Sequence, residues 1–196
     1  MKTSNKFTLI RILFSPLFLI LFFLPDWTGH FAKITGIVMI PLLAFMEFTD
    51  FLDGYYARKH NEVSDFGKLF DPFADVIEHI TTFACLTFSG FIPLIVFILI
   101  LYREYTMIFI RMIATKKGIA IGARKGGKFK TVLYVVTGFT ALVFVCGSRI
   151  DPAFVATIDI FKLAVFILSI LSLVASYVSF ADYLINFGYL LKSEKK

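Results

Sequence analysis

Six long apolar runs dominate this chain and leave little room for any other architecture. They lie at about 7–25, 31–58, 68–90, 91–115, 128–147 and 159–191. A helix needs roughly 20 apolar residues to cross a bilayer. Of the 196 residues, 58% are hydrophobic and 17% are charged, whereas ordinary soluble domains carry about 25% charged residues. The sequence therefore predicts one all-α integral membrane domain, residues 1–196, with six transmembrane helices.

The distribution of positive charge gives these helices an orientation. If the N-terminus lies in the cytoplasm, 17 of the 20 Lys and Arg residues fall on the cytoplasmic side, and only Lys33, Arg149 and Lys162 fall on the other. Cytoplasmic loops of membrane proteins carry such an excess, so we expect both termini to be cytoplasmic. The same rule and attraction to anionic lipid account for the net charge of +6 without nucleic acid as a partner.

Four aspartates stand in or beside two of the apolar runs at helical spacing. Asp50 and Asp53 are three residues apart near the end of the second run, and Asp71 and Asp75 are four apart in the third. Each pair therefore shares one helix face. The short polar connector between the runs predicts antiparallel neighbouring helices whose acidic faces meet. Asp65 fits neither face and is interpreted as a loop residue.

Carboxylates gathered at low dielectric repel one another unless a cation neutralises them. Ligands that offer only oxygen suit Mg²⁺, Mn²⁺ or Ca²⁺. Gly54, Ala57 and Gly67 leave these faces without bulk, so a ligand can approach the backbone. Arg58 offers a bidentate donor for phosphate.

Ionisable groups inside a membrane are functional by default. The alternative is that the aspartates are interfacial charges paired with nearby basic residues.

Together these residues resemble the signature of the CDP-alcohol phosphotransferase family: D-x-x-D-G-x-x-A-R, eight residues, G, three residues, D, three residues and D. Every fixed position is met, by Asp50, Asp53, Gly54, Ala57, Arg58, Gly67, Asp71 and Asp75. The resemblance implies a six-helix membrane enzyme, commonly a homodimer, with its active site at the cytoplasmic face. Such enzymes cleave the pyrophosphate of a CDP-linked substrate and release CMP.

The resemblance also implies roles for individual residues. Divalent metal, Mg²⁺ or Mn²⁺ and two ions in number, would be bound by Asp50, Asp53, Asp71 and Asp75. Asp75 would also act as the general base that deprotonates the acceptor hydroxyl. The small residues and Arg58 would contact the CDP group.

The start of the chain, Asn5-x-x-Thr8-x-x-Arg11, resembles that of the phosphatidylglycerophosphate synthases within this family, with Ser4 in place of their proline. These residues recur every three positions and can line one helix edge near the nucleotide. Arg11 could instead extend its side chain to the membrane interface. The residues expected to bind CDP are therefore Asn5, Thr8, Gly54, Ala57, Arg58 and Gly67.

Basic residues in the second half of the chain favour an acceptor that carries its own phosphate. Arg103 and Arg111 lie eight residues apart in an apolar run, on the same side of a helix, where a solvated face does not explain them. Glu104 can pair with one of them. The expected phosphate pocket consists of Arg103, Arg111, Arg124, Lys128 and Lys130. The order of these residues also resembles phosphatidylglycerophosphate synthases.

These features predict a phosphatidyltransferase of phospholipid biosynthesis. It would transfer the phosphatidyl group of CDP-diacylglycerol to glycerol 3-phosphate, releasing CMP and forming phosphatidylglycerophosphate. The small chain shows no transit-peptide pattern, so we expect it among the lipids of the cell (inner) membrane, with the active site facing the cytoplasm.

Other functions stay open at this point. The acceptor could be inositol phosphate, or the enzyme could transfer a choline or ethanolamine phosphate head group to diacylglycerol. Val76 stands where synthases of this type carry Lys, and Glu78 and His79, one turn beyond Asp75, have open roles, as does Glu47. A cation-coupled transporter is the alternative of another class, although the chain shows no paired halves.

Overall fold

The structure, a computed structural model, describes residues 3–59, 65–119, 121 and 125–191. Six α-helices follow in chain order: α1 (Thr3–Thr28), α2 (Ala32–Lys59), α3 (Asp65–Phe88), α4 (Leu94–Lys116), α5 (Lys125–Ile150) and α6 (Ile158–Phe187). Two 3₁₀ segments, Pro152–Thr157 and Gly188–Leu191, flank α6. The described residues contain no strand, so the all-α prediction is confirmed. Each predicted run corresponds to one helix, and Asp65 begins α3 instead of lying in a loop.

Four helical segments in the described part of the chain are long and apolar enough to cross a membrane: Asn5–Thr28, Ala32–Tyr56, Gly126–Ile150 and Pro152–Leu190. The other two helices, α3 and α4, are of similar length, 24 and 23 residues. Their charged residues reach further into the apolar stretch, because α3 holds the second aspartate pair and α4 holds Arg103, Glu104 and Arg111. Charge on the inner faces, and not length, therefore separates them from the other four.

The first helix is the centre of the half of the molecule that carries the aspartates. α1 packs against both α2 and α3, α5 packs against α2 and α6, and α4 packs against α3 and α6. Within the described residues α2 and α3 make at most a marginal direct contact. The two helices therefore do not pack against each other along their length, but their acidic faces do meet as predicted, since Asp50 lies within hydrogen-bond distance of Asp75 and Asp53 of Asp71.

Buried apolar side chains form two clusters. The larger one is shared by α1, α2, α3, α4 and α5 with part of α6, and includes Phe18, Met39, Phe83 and Leu142. The smaller one, around Met107, joins α4 to the end of α6. Large apolar side chains elsewhere on the helices are exposed, as expected where lipid is the solvent. The polar groups described next lie between the two clusters.

Candidate active site

One edge of α1 is polar and buried. Asn5, Thr8, Arg11 and Ser15 are 7%, 0%, 1% and 0% exposed, and their spacing of three or four residues places them in one row along the helix. The interpretation that Arg11 extends to the membrane interface is wrong. Its guanidinium is instead held inside the protein by acidic partners from α2 and α3.

Thr8 brings one aspartate from each helix together. Its hydroxyl contacts Asp53 Oδ2 and lies 2.9 Å from Asp71 Oδ1. A hydroxyl has one proton to donate, so at any moment it donates to one of these two carboxylates. Asp53 comes from α2 and Asp71 from α3, so this one side chain of α1 contacts both acidic faces.

Arg11 brings the other two aspartates together. Its Nη1 lies 2.6 Å from Asp50 Oδ1 and also contacts Asp75 Oδ1, while Nη2 is 3.7 Å from Asp53 Oδ2. The Nε and Nη2 atoms of Arg11 are buried and make no hydrogen bond within the described part of the chain. One buried cation therefore supplies the positive charge that the carboxylates need.

The donor atoms of this cluster suit a hard divalent ion, since all four residues offer carboxylate oxygens. Asp53 Oδ1 is buried and makes no hydrogen bond to any described residue, which leaves it available to a ligand. As the side chains stand, no three Asp, Glu, His or Cys residues among those described are arranged to hold a metal ion. Arg11 contacts the Oδ1 atoms of Asp50 and Asp75, so an ion at those two oxygens would compete with its guanidinium.

The structure describes only part of the expected CDP-binding set. Asn5 and Thr8 are buried on α1, Gly67 is buried at the start of α3, and Gly54 is half-buried next to Asp53. The side chains of Ala57 and Arg58 lie outside the described structure. The whole of Arg124, which belongs to the expected phosphate pocket, also lies outside it.

A cavity of about 450 Å³ connects the aspartates to the basic residues of α4 and α5. The acidic residues in its wall are Asp50, Asp71 and Asp75, with Glu104 on the far side. The basic ones are Arg103, Arg111, Lys128 and Lys130. Two sets of residues that are far apart in sequence thus face one space, which is the geometry that a reaction between two substrates requires.

Glu104 lies in the centre of the basic side and is 3% exposed. Both of its oxygens accept hydrogen bonds from Arg103 Nη1 at 3.0 Å. Its Oε1 also accepts from Lys130 Nζ at 2.8 Å and from the Tyr134 hydroxyl at 3.0 Å. The predicted pairing of Glu104 with a neighbouring arginine is therefore confirmed for Arg103.

The last helix completes this network through small side chains. Arg103 Nε donates to the Ser176 carbonyl at 3.1 Å, and its Nη2 donates to Ser179 Oγ at 3.4 Å. Gly126 of α5 is so close to Ser179 that a Cβ on the glycine would lie 3.5 Å from the serine Cβ. Small residues allow helices to approach closely in membranes, and here they bring α5 and α6 around Arg103.

Arg111 and Lys128 are held differently from the other two basic residues. Arg111 is half-buried, its guanidinium lies 5.9 Å from the centre of the Tyr183 ring, and its buried Nε makes no hydrogen bond within the described residues. Lys128 is exposed at the rim. Glu104 therefore contacts Arg103 and Lys130, while Arg111 and Lys128 remain directed to the cavity.

Two residues with open roles prove to be buried near the aspartates. His79 lies in the cavity wall, and its ring meets that of Tyr134 edge-on, with centroids 5.6 Å apart. Glu78 is 1% exposed, and its Oε1 makes no hydrogen bond to the described residues. Glu78 Oε1 and His79 therefore form no hydrogen bond with each other.

Sequence reasoning missed the contribution of α6 and Tyr134 to the site. The signal was present, since Ser169, Ser172, Ser176 and Ser179 recur at three- and four-residue spacing in an otherwise apolar helix. All four are buried. Tyr134 follows Lys130 by one turn of α5, which places the two side chains on one face.

Comparison with known proteins agrees with this architecture. A family model described as CDP-alcohol phosphatidyltransferase matches residues 1–180. Three similar proteins each bear the name CDP-diacylglycerol–glycerol-3-phosphate 3-phosphatidyltransferase. The one from Treponema pallidum is 40% identical over 141 residues, which are 69% of this chain and 65% of that protein.

The other two cover more of their own length. The Bacillus subtilis protein is 33% identical over 67% of this chain and 72% of its own. The Aquifex aeolicus protein is 29% identical over 93% of this chain and 94% of its own. Because the family match takes in the aspartates, every residue of the cavity wall except Tyr183 and all but the end of α6, this chain belongs to the CDP-alcohol phosphatidyltransferase family.

Proposed function

We propose that this protein transfers a phosphatidyl group from CDP-diacylglycerol to glycerol 3-phosphate, releasing CMP and forming phosphatidylglycerophosphate. The observation that carries the proposal is the cavity with carboxylates on one wall and basic side chains on the other. A nucleotide-linked donor needs the first wall, and an acceptor that bears its own phosphate needs the second. The names of the three similar proteins support the same reaction.

The acidic wall binds the donor in this proposal. Asp50, Asp53, Asp71 and Asp75 would hold Mg²⁺ or Mn²⁺, as two ions. When bound, the ions would supply positive charge that offsets the pyrophosphate and the departing CMP oxygen. The buried edge of α1 and the small residues near the aspartates contact the CDP group; the full set is Asn5, Thr8, Gly54, Ala57, Arg58 and Gly67.

Asp75 is placed to act on the acceptor, because it lines the same cavity as the basic residues of α4 and α5. Its carboxylate accepts the proton of a glycerol 3-phosphate hydroxyl while the hydroxyl oxygen bonds to the phosphorus of the phosphatidyl group. The bond between that phosphorus and the bridging oxygen breaks, and CMP leaves with the electron pair. Proton transfer to a positioned carboxylate contributes about 10²–10⁴-fold to such rates.

The basic wall binds the acceptor phosphate. The residues proposed for it are Arg103, Arg111, Arg124, Lys128 and Lys130. Guanidinium groups form paired hydrogen bonds with phosphate oxygens, and a partly buried cavity strengthens these charge interactions relative to water. An acceptor such as choline carries positive charge and would be repelled by the same wall.

We also propose that all six helices span the membrane, with both termini cytoplasmic. At 1.5 Å per residue, α3 and α4 are about 35 Å long, enough for a hydrocarbon core of about 30 Å. Their charged side chains include buried groups that face the cavity. The cavity then opens toward the cytoplasm of the cell (inner) membrane. A homodimer is proposed from the family resemblance.

The test is CMP release by the purified protein in detergent with CDP-diacylglycerol and Mg²⁺. Glycerol 3-phosphate, inositol phosphate, serine and water are supplied in parallel, and CDP-choline with diacylglycerol in a separate assay. The proposal expects release that depends on glycerol 3-phosphate and is lost in Asp71→Asn. Turnover only with another acceptor, or only in the CDP-choline assay, contradicts it, as does inactivity of the folded protein in both assays.

A further inference from the structure

Glu104 is an unexpected residue to find in a cavity wall that binds an anion. It is buried, it lies in the wall itself, and it contacts both Arg103 and Lys130. The two cations and one carboxylate leave this group a net charge of +1, so the acid weakens the attraction for phosphate. If Glu104 serves the site, it must make a second contribution that offsets this weaker attraction for phosphate.

We infer that Glu104 is a positioning residue for the acceptor, acting through Lys130 and Arg103. This inference rests on the proposed function. Glu104 fixes the Lys130 ammonium at the cavity wall, while Arg111 and Lys128, which it does not contact, bind the acceptor phosphate without restraint from a carboxylate. The expected basic pocket thus divides into a preset pair and an adaptable pair.

The contacts of Lys130 show how the restraint works. Its Nζ lies 2.8 Å from Glu104 Oε1 and 4.6 Å from the centre of the Tyr134 ring, and it is 8% exposed. A lysine side chain is flexible and loses rotamer freedom when a substrate orders it. A carboxylate on one side and an aromatic face on the other order it beforehand, so acceptor binding does not bear that cost.

Arg103 anchors the carboxylate in turn. It occupies both Glu104 oxygens and is itself bonded to the Ser176 carbonyl of α6. The chain of contacts therefore runs from the backbone of α6 through α4 to Lys130 of α5. An ammonium held through three helices keeps its position relative to Asp75 in the same cavity, and preorganised charge is more effective than charge that must be assembled during the reaction.

The experiment uses the full-length protein in detergent and measures CMP release while glycerol 3-phosphate and CDP-diacylglycerol are each titrated. The variants are Glu104→Gln, Glu104→Asp, Lys130→Met and the double variant Glu104→Gln/Lys130→Met. We expect Glu104→Gln to lower kcat at least tenfold without changing the KM for CDP-diacylglycerol, and Glu104→Asp to lie between it and the wild type. Because Glu104 acts through Lys130, the double variant should be no slower than the slower single variant.

A merely structural role is tested by Arg149→Gln, at the other end of α5. Arg149 donates to the Phe22 carbonyl at 2.5 Å and to Thr35 Oγ1 at 3.3 Å, so its loss should lower thermal stability while kcat stays at the wild-type value. The inference is overturned if folded Glu104→Gln has wild-type kinetics, or if its effect multiplies fully with that of Lys130→Met.

The experiment also distinguishes a failure of this inference from a variant that does not fold and from a failure of the proposed function. If Glu104→Gln does not fold, Glu104→Asp and Lys130→Met decide, and wild-type kinetics in either one overturns the inference. A wild-type protein that is inactive with glycerol 3-phosphate overturns the proposed function and this inference with it. A wild-type protein that is active, together with an unaffected Glu104→Gln, overturns this inference alone.

Discussion

The acidic and basic sides of the cavity each contain one side chain of the opposite charge. On the acidic side one cation, Arg11, lies among the aspartates. On the basic side one carboxylate, Glu104, lies among cations. Glu104 uses both of its oxygens in hydrogen bonds, whereas Arg11 leaves Nε and Nη2 without a hydrogen bond to the described residues, as does Asp53 Oδ1.

This difference indicates how each side meets its ligand. A buried polar atom without a partner costs about 1–3 kcal/mol, so the acidic side gains when a ligand supplies the missing bonds. The basic side around Glu104 already has its bonds and can receive a ligand with little change. We therefore expect donor binding to rearrange the acidic side and to leave the part of the basic side around Glu104 in place.

The largest expected effect comes from Asp75→Asn, which removes the proposed base from the acidic side. The amide cannot accept the proton of the acceptor hydroxyl, so kcat for CMP release should fall by about 10²–10⁴-fold. Asp159→Asn is the matched control, because Asp159 is exposed at the start of α6. Retention of more than a tenth of wild-type activity in Asp75→Asn would remove the base role from this residue.

Arg11→Gln tests whether the acidic side needs an added cation. Breaking a fully buried ion pair costs about 3–5 kcal/mol; here the loss should be smaller, because the Asp50 and Asp75 side chains are 44% and 36% exposed. Without Mg²⁺ the variant should therefore unfold at a lower temperature than the wild type, and Arg11→Lys should recover part of the loss.

Added Mg²⁺ gives a second comparison of the unfolding temperatures of Arg11→Gln and the wild type. A ligand that binds the folded state stabilises it more as its concentration rises above its Kd, and in Arg11→Gln an ion would no longer compete with a guanidinium for Asp50 and Asp75. Mg²⁺ should thus raise the unfolding temperature of Arg11→Gln by more than that of the wild type. An equal rise in both proteins, or none in either, would speak against an ion at these aspartates.

Arg111→Gln tests the adaptable part of the basic side. A hydrogen bond to a charged group contributes about 1.5–3 kcal/mol, so the KM for glycerol 3-phosphate should rise roughly 10- to 100-fold, with an unchanged KM for CDP-diacylglycerol. Lys162→Gln, exposed near the start of α6, serves as the control. Parallel increases in both KM values would mean that Arg111 supports the fold of the whole cavity.

The smallest effect is expected from Ser172→Ala, on the serine row of α6 but outside the cavity wall. Its Oγ lies 3.1 Å from Thr137 Oγ1 of α5. Hydrogen bonds between membrane helices contribute about 0.6 kcal/mol on average, so thermal unfolding should shift slightly while kcat and both KM values stay unchanged. A kinetic defect in this variant would show that the site depends on the whole α5–α6 contact.

The sequence predicted the helices and the aspartate set because both follow from local periodicity. Apolar runs of sufficient length form helices in lipid whatever their neighbours, and spacings of three and four fix a shared face. The pairing of Arg103 with Glu104 could be predicted for a different reason, since the two residues are adjacent in the sequence.

Other features depend on packing between segments that no local pattern records. The position of α1 between α2 and α3 joins Thr8 to Asp53 and Asp71, 45 and 63 residues away. The bond from Lys130 to Glu104 likewise links residues 26 apart. The sequence leaves open whether Arg11 lines a helix edge near the nucleotide or extends to the membrane interface, and only the fold shows that acidic groups surround it.

The most direct test of the two-sided cavity compares glycerol 3-phosphate with glycerol, which lacks the phosphate, as acceptors for CMP release. The measured quantity is the ratio of their kcat/KM values in the wild type and in Arg111→Gln. We predict a large preference for glycerol 3-phosphate in the wild type that falls at least tenfold in the variant. Equal use of both acceptors by the wild type, or a ratio that the variant leaves unchanged, would contradict a basic side that recognises the acceptor phosphate.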